Sequence, residues 1–129
     1  MLRELYSKYV FPRLCDWAMS GKELHPLRKR SLQNVSGKVL EIGFGTGLNL
    51  PFYPEDVGEV HAVDVNPEMT PKALESIEKI SFPVQHHVLS GKALPMENDS
   101  FDFVVSTFTL CGIAKVEQAI GEIWQVLRP

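Results

Sequence analysis

The sequence has 129 residues, 44% of them apolar and 22% charged, with a formal net charge of −3. That length and balance give one domain with a core of useful size. The acidic excess argues against a nucleic-acid partner, because phosphate contacts need a basic surface. Two cysteines, Cys15 and Cys111, stand without ligand neighbours at metal spacing, so no metal site is expected and both read as free thiols of a cytoplasmic chain. The N-terminus carries charges where a leader needs an apolar run, and no stretch is apolar enough to span a bilayer.

Leu2, Leu5, Tyr6, Tyr9 and Val10 recur at helical spacing and predict an amphipathic first helix, which Pro12 interrupts. A second short helix runs through Leu14, Trp17 and Ala18 to Gly21. A third is predicted from Pro26 to about Asn34, and its positive cluster His25 to Arg30 reads as a solvated face. Lys38 to Ile42 is then a short apolar run ending in glycines, the pattern of a buried strand. A short helix is predicted from Gly47 to Phe52 and a second strand from Glu59 to Asp64. Ala73, Leu74, Ile77 and Ile80 give helical spacing, with Pro67 and Pro71 competing as its first-turn proline. Val84 to Leu89 and Phe101 to Ser106 are the third and fourth strands, and a last helix carries Ile113, Val116, Ile120, Ile123, Trp124 and Leu127. Trp17 and Trp124 read as core, Tyr6 and Tyr9 as helix packing, and His86 and His87 as neighbours on opposite faces of a strand.

Strands alternating with helices predict an α/β fold with a parallel sheet and right-handed crossovers. Its sharpest feature is Glu41-Ile42-Gly43-Phe44-Gly45-Thr46-Gly47, placed between a strand and a helix. Glycines there let the backbone turn tightly and approach a ligand, at the strand end where open parallel sheets bind their ligands. The spacing discriminates between ligands. A dinucleotide fingerprint needs its third glycine at position 48, which is Leu48; the third glycine is Gly47 instead. Asp64 closes the second strand about 20 residues beyond the first glycine, where a carboxylate accepts from ribose hydroxyls.

The E-x-G-x-G-x-G form resembles the first motif of class I S-adenosylmethionine (SAM)-dependent methyltransferases. Leu94-Pro95 and Ser100-Phe101-Asp102 match the methyltransferase 11 type, which includes ubiquinone and menaquinone biosynthesis enzymes, and Leu127-Arg128-Pro129 is similar to that family's helix end. Gly47 to Pro54, Asn66-Pro67 and Ser106-Thr107-Phe108-Thr109-Leu110-Cys111 resemble a narrower branch of thiol and phospholipid methyltransferase-like proteins. The likeness covers the chain from about Gly37 to its end.

The resemblance implies SAM as cofactor, S-adenosylhomocysteine as product, and a small molecule or lipid as methyl acceptor. It places Glu41, Gly43, Gly45, Gly47 and Asn49 on the cofactor loop and Asp64, Val65 and Asn66 at the ribose. Ser90, Gly91, Ala93 and Leu94 fall at the adenine, and Ser106 beside the site. Ser90 stands where the family has an Asp toward the adenine amino group. The N/D-P-P-Y signature of base and glutamine methyltransferases is replaced by Ser106-Thr107-Phe108-Thr109, which speaks against those acceptors. No catalytic residue is assigned, since transfer from a sulfonium asks mainly for positioning and exclusion of water. The family's sheet has seven strands in the order 3-2-1-4-5-7-6, whereas four are counted here, so the expected order is an incomplete 3-2-1-4. A helical segment over 1–35 precedes a partial Rossmann-like domain over 36–129. The fourth strand would be an apolar edge, which invites pairing with a second copy. Two other readings stand beside the methyltransferase: a truncated SAM-binding module without catalysis, and a nucleotide-binding oxidoreductase fragment.

Overall fold

The computed structural model describes residues 1–89, 96–107 and 116–129. Four parallel strands, β1 (Gly37–Ile42), β2 (Val57–Asp64), β3 (Val84–Val88) and β4 (Phe103–Ser106), form one sheet in the order β3-β2-β1-β4. Helices α1 (Leu2–Leu5), α2 (Phe11–Met19) and α3 (His25–Leu32) precede it. Helix α4 (Thr70–Glu78) connects β2 to β3, and α5 (Val116–Val126) follows β4. This is the expected α/β architecture and strand order, with β1 and β2 at the centre.

Both competing prolines are used. Pro67 opens a single 3₁₀ turn, Pro67–Met69, and Pro71 sits in the first turn of α4 directly behind it. Each position lacks an intrahelical acceptor, so the missing N–H costs nothing. The break near Pro12 is a wide π turn over Tyr6–Val10, which leaves Pro12 in the first turn of α2. The helix expected from Gly47 shrinks to one 3₁₀ turn, Leu50–Phe52.

The sheet is buried on both faces along its centre, and neighbouring Val39 and Leu40 are both fully buried. That is why the strands read as continuous apolar runs rather than as alternation. On one face Val39, Val60, Ala62 and Val105 pack with Phe44, Leu50, Tyr53 and Ala73, and with Leu32 of α3. On the other, Leu40 and Val63 pack with Phe101 and with Val126 of α5. His86 and His87 do lie on opposite faces: the first meets the edge of Phe44, the second stacks on His61.

Two tryptophans correct the sequence reading. Trp17 is 77% exposed and Trp124 is 80% exposed. The rotation of α2 is fixed by polar contacts on its other side, where Asp16 accepts from Thr46 Oγ1 (2.8 Å) and Met19 O accepts from Arg28 (3.0 Å). Tyr6, Tyr9, Val10, Leu14 and Trp17 are thereby left facing outward. In α5, Val126 takes the inner position and Trp124 turns away with Ile120. Among the described residues no helix is long and apolar enough to cross a membrane.

The Ser100-Phe101-Asp102 motif is a structural clamp at the end of the sheet away from the glycine loop. Asp102 Oδ2 accepts from Lys38 N and its own N–H donates to Lys38 O, each at 2.8 Å. Its Oδ1 accepts from Arg128 at 2.9 Å, and Phe101 is inserted beneath. Gly37 adjoins the clamp with φ +72, and a Cβ there would collide with the Asp102 carboxylate. Gly37→Ala therefore combines a left-handed alanine with that clash, costing about 2–4 kcal/mol. Thermal melting should show a loss of at least about 5 °C. Gly121→Ala, in α5 with nothing among the described residues within 4 Å of its Cβ, should leave the melting point unchanged or raise it.

Candidate cofactor site

At the end of β1 the chain reverses through Gly43 (φ +74), Gly45 (φ +59) and Gly47 (φ +84), conformations that only glycine adopts without strain. Gly43 N and Phe44 N both donate to Val63 O, at 2.9 and 3.1 Å, which docks the loop on the end of β2. Buried Phe44 anchors it from below. Gly45 N donates to Asp64 Oδ2 at 2.7 Å, while Asp64 Oδ1 accepts from Asn66 N at 2.9 Å. The glycines divide their work. Among the described residues nothing lies within 4 Å of a Cβ built on Gly45, so that backbone is open to a ligand on their side. A Cβ on Gly47 would meet Ser76 Cβ at 2.8 Å, so Gly47 permits close packing of the loop on α4.

The second half of the site is a buried polar chain. Glu41 projects from β1 into the core and is 2% exposed. Its Oε1 accepts from Asn49 Nδ2 (2.7 Å) and its Oε2 from the hydroxyl of Tyr53 (2.8 Å). Arg28 Nη1 donates to Asn49 Oδ1 at 2.7 Å, so the amide of Asn49 stands between a cation and a carboxyl group. The same Nδ2 donates to Thr107 Oγ1 at 2.9 Å, tying in the end of β4. Burial raises the Glu41 pKa to about 7, against the opposing pull of the Tyr53 and Asn49 hydrogen bonds and the Arg28 charge. Burial lowers the pKa of Arg28, and Glu41 raises it. The Tyr53 hydroxyl is pushed far up by burial and by Glu41, so it serves as a donor. Glu41, Asn49, Arg28 and Thr107 face a cavity of about 110 Å³ that Gly43 and Gly45 also line.

The structure thus brings together Glu41, Gly43, Gly45 and Asn49 on one cavity, with Asp64 gripping the loop beside it and Asn66 donating its backbone N–H to Asp64. Gly47 lies behind the loop, and Val65 is 72% exposed next to Asp64. Ser106 ends β4, with its buried Oγ lacking a hydrogen-bond partner among the described residues. Ser90, Gly91, Ala93, Leu94 and Cys111 lie outside the described residues. Arg28 overturns the solvated-face reading of its cluster: it is 5% exposed while Lys29 and Arg30 stay outside. The signal was the i, i+4 spacing to Leu32, which puts Arg28 on the buried side of α3. Tyr53, Thr46, Thr107 and Asp16 also went unread, because hydrogen bonds across 12 to 58 positions leave no local pattern.

The sequence profile of the methyltransferase 11 family, a methyltransferase domain, matches residues 40–129. A phosphatidylethanolamine N-methyltransferase of Cereibacter sphaeroides is 33% identical over 113 residues, 84% of this chain and 55% of that protein. A human thiol S-methyltransferase is 36% identical over 99 residues, 73% of this chain and 40% of that one. The chain spans about half the length of these relatives. Among solved structures, a SAM-dependent methyltransferase from Aquifex aeolicus superposes with a TM-score of 0.73 at 24% identity, over 92% of this chain and 68% of that one. The fold is therefore the Rossmann-like one of SAM-dependent methyltransferases, and the chain belongs to the methyltransferase 11 family.

The Glu41 arrangement has a measurable signature in stability. An ordinary glutamate titrates near 4.5, and here the folded value is about 7. A carboxyl group with a raised folded pKa contributes stability that is complete below about 4.5 and is lost as pH rises through about 7. The shift corresponds to roughly 3 kcal/mol. Thermal melts of the wild type minus those of Glu41→Gln should show this loss between about pH 4.5 and 7. Parallel curves would sink the assignment.

Proposed function

We propose that the protein transfers the methyl group of SAM to a nucleophilic atom of a small molecule or lipid, and that residues of this chain hold the cofactor. The observation that carries this reading is the pairing of an open Gly45 backbone, gripped by Asp64, with an adjoining cavity lined by the buried side chains of Glu41 and Arg28. The residues fit the group. Asp64 has acceptor capacity left for ribose hydroxyls after its two backbone bonds, and Asn66 and Val65 stand next to it. Glu41 suits an ammonium, Arg28 suits a carboxylate, and Asn49 keeps the two charged groups in register. Gly43 and Gly45 bring backbone close to the ligand, with Gly47 shaping the turn and Ser106 at the end of β4. The family resemblance assigns the adenine to Ser90, Gly91, Ala93 and Leu94.

Bound there, SAM supplies a methyl carbon already activated by its sulfonium. The chain's own share is orientation and a water-poor wall. The acceptor class follows from the relatives, whose names specify a phospholipid amine and thiols. Leu48 and the family match leave the oxidoreductase alternative without support. We read residues 1–35 as a helical cover on the 36–129 domain, and the setting as cytoplasmic. We also propose that the end strand β4 pairs with a second copy of the chain.

Calorimetric titration of the purified chain with SAM, S-adenosylhomocysteine and NAD tests the cofactor reading. SAM and its product should bind and NAD should not. Asp64→Ala should weaken binding about 10-fold or more, as expected for losing charged hydrogen bonds. Silence with SAM and its product, or binding of NAD, overturns it. For the pairing, light scattering should give twice the 14.5 kDa of one chain, and a monomer at high concentration rules it out.

A further inference from the structure

The buried carboxyl of Glu41 has one partner that the cavity does not touch. Tyr53 follows the 3₁₀ turn Leu50–Phe52 and belongs to the main core, packed with Leu50, Val57 and Val60 and held edge-on by Phe82 at 6.1 Å. From that depth its hydroxyl donates to Glu41 Oε2, while Glu41 and Asn49, but not Tyr53, line the cavity. A phenol confined in an apolar core has few reasons to be there other than its hydrogen bond. Among the described residues the surroundings of Glu41 are sparse in charge. Its sheet neighbours are Ala62 on β2 and Val105 on β4. Asn49 and Thr107 are neutral, Arg28 of α3 is the cation, and the next titratable group in the row is His86 on β3, beyond Ala62 and against Phe44.

We infer that Tyr53 is a positioning residue of the cofactor site: by fixing Oε2 of Glu41 from within the core, it sets how tightly the site holds SAM and its product around neutral pH. The inference rests on the cofactor reading above. The physics is direct. An ionised Glu41 attracts the ammonium of the ligand, whereas a protonated one does not. A hydroxyl donating to the carboxylate favours the ionised form, in line with the direction its bond exerts here. Without the phenol, Glu41 keeps its proton to higher pH, and affinity near neutrality falls while affinity at pH 9 persists.

The test uses two readouts on the full chain. Carbon NMR of the glutamate carboxyls follows Glu41 without ligand, assigned with Glu41→Gln. Calorimetry with S-adenosylhomocysteine from pH 5.5 to 9 follows affinity. The ligand's own amine titrates equally in every variant and cancels in comparisons. Tyr53→Phe should move both midpoints upward together by about one pH unit, weakening binding at pH 7 about fivefold. Should that variant fail to fold, biosynthetic replacement of tyrosine by 3,5-difluorotyrosine strengthens the donor and should move both midpoints down; Tyr6 and Tyr9 are on the outer surface. An unmoved Glu41 titration overturns the inference, and so does a titration that moves while the affinity profile stays put. A wild type that binds at no pH sinks the cofactor reading itself, and with it the affinity half of the inference, while the carboxyl titration still decides whether Tyr53 governs Glu41.

Discussion

A carboxyl group buried in the core is the constraint around which the site is built. Removing Glu41 from water is costly unless donors meet its oxygens. Those donors come from distant segments: Asn49 from the loop, Tyr53 from beyond it, and Arg28 through Asn49 from α3. Thr107 at the end of β4 joins the same amide. Satisfying one side chain therefore fixes four separate pieces of chain against β1. The second carboxylate, Asp64, acts on the same loop from the neighbouring strand by accepting from Gly45 N. Two carboxyl groups at the ends of adjacent central strands thus pin the glycine loop at its middle and at its far end. A loop of glycines would otherwise carry a large entropy cost on ordering, and here that cost is met in folding rather than in binding.

The two ends of the sheet have opposite characters. At the loop end, polar groups face open space or a cavity, and Gly45 leaves room for a guest. At the other end, Asp102, Lys38 and Arg128 are closed upon one another, and Gly37 has no room for a methyl group. The Ser-Phe-Asp motif therefore belongs to the integrity of the sheet rather than to chemistry. Ser100 confirms that division, since its hydroxyl is spent on Glu97 O at 2.7 Å.

Much of this was legible in the sequence. Strands β1 and β2 announce themselves because a parallel strand covered on both faces must be apolar throughout. The glycine loop is legible because positive φ and close approach demand glycine at fixed offsets. The rotation of helices was not legible. α2 carries enough apolar residues to suggest either face as the inner one, and single polar contacts through Asp16 and Met19 decide that Trp17 faces out. Arg28 shows the same limit in reverse. A charged residue in a basic run reads as solvated, and partners 9 and 21 positions away, Met19 O and Asn49, give it a reason to be buried. Such partners belong to the tertiary structure, which local periodicity does not encode.

The amide of Asn49 separates Arg28 from Glu41. Two opposite charges brought into direct contact would largely neutralise each other and fill the space between them. Asn49 instead accepts from one and donates to the other. The two groups are thereby held on one wall of a cavity, each polarised by its neighbour. On the proposed reading, a guest with an ammonium at one point and a carboxylate at another matches that wall. The near-neutral pKa of Glu41 follows from the same geometry, because the cation acts through a neutral spacer and only partly offsets the burial. A cationic guest would complete the compensation and hold the carboxylate ionised. On the proposed reading, a zwitterionic amino-acid group supplies the charges complementary to Glu41 and Arg28.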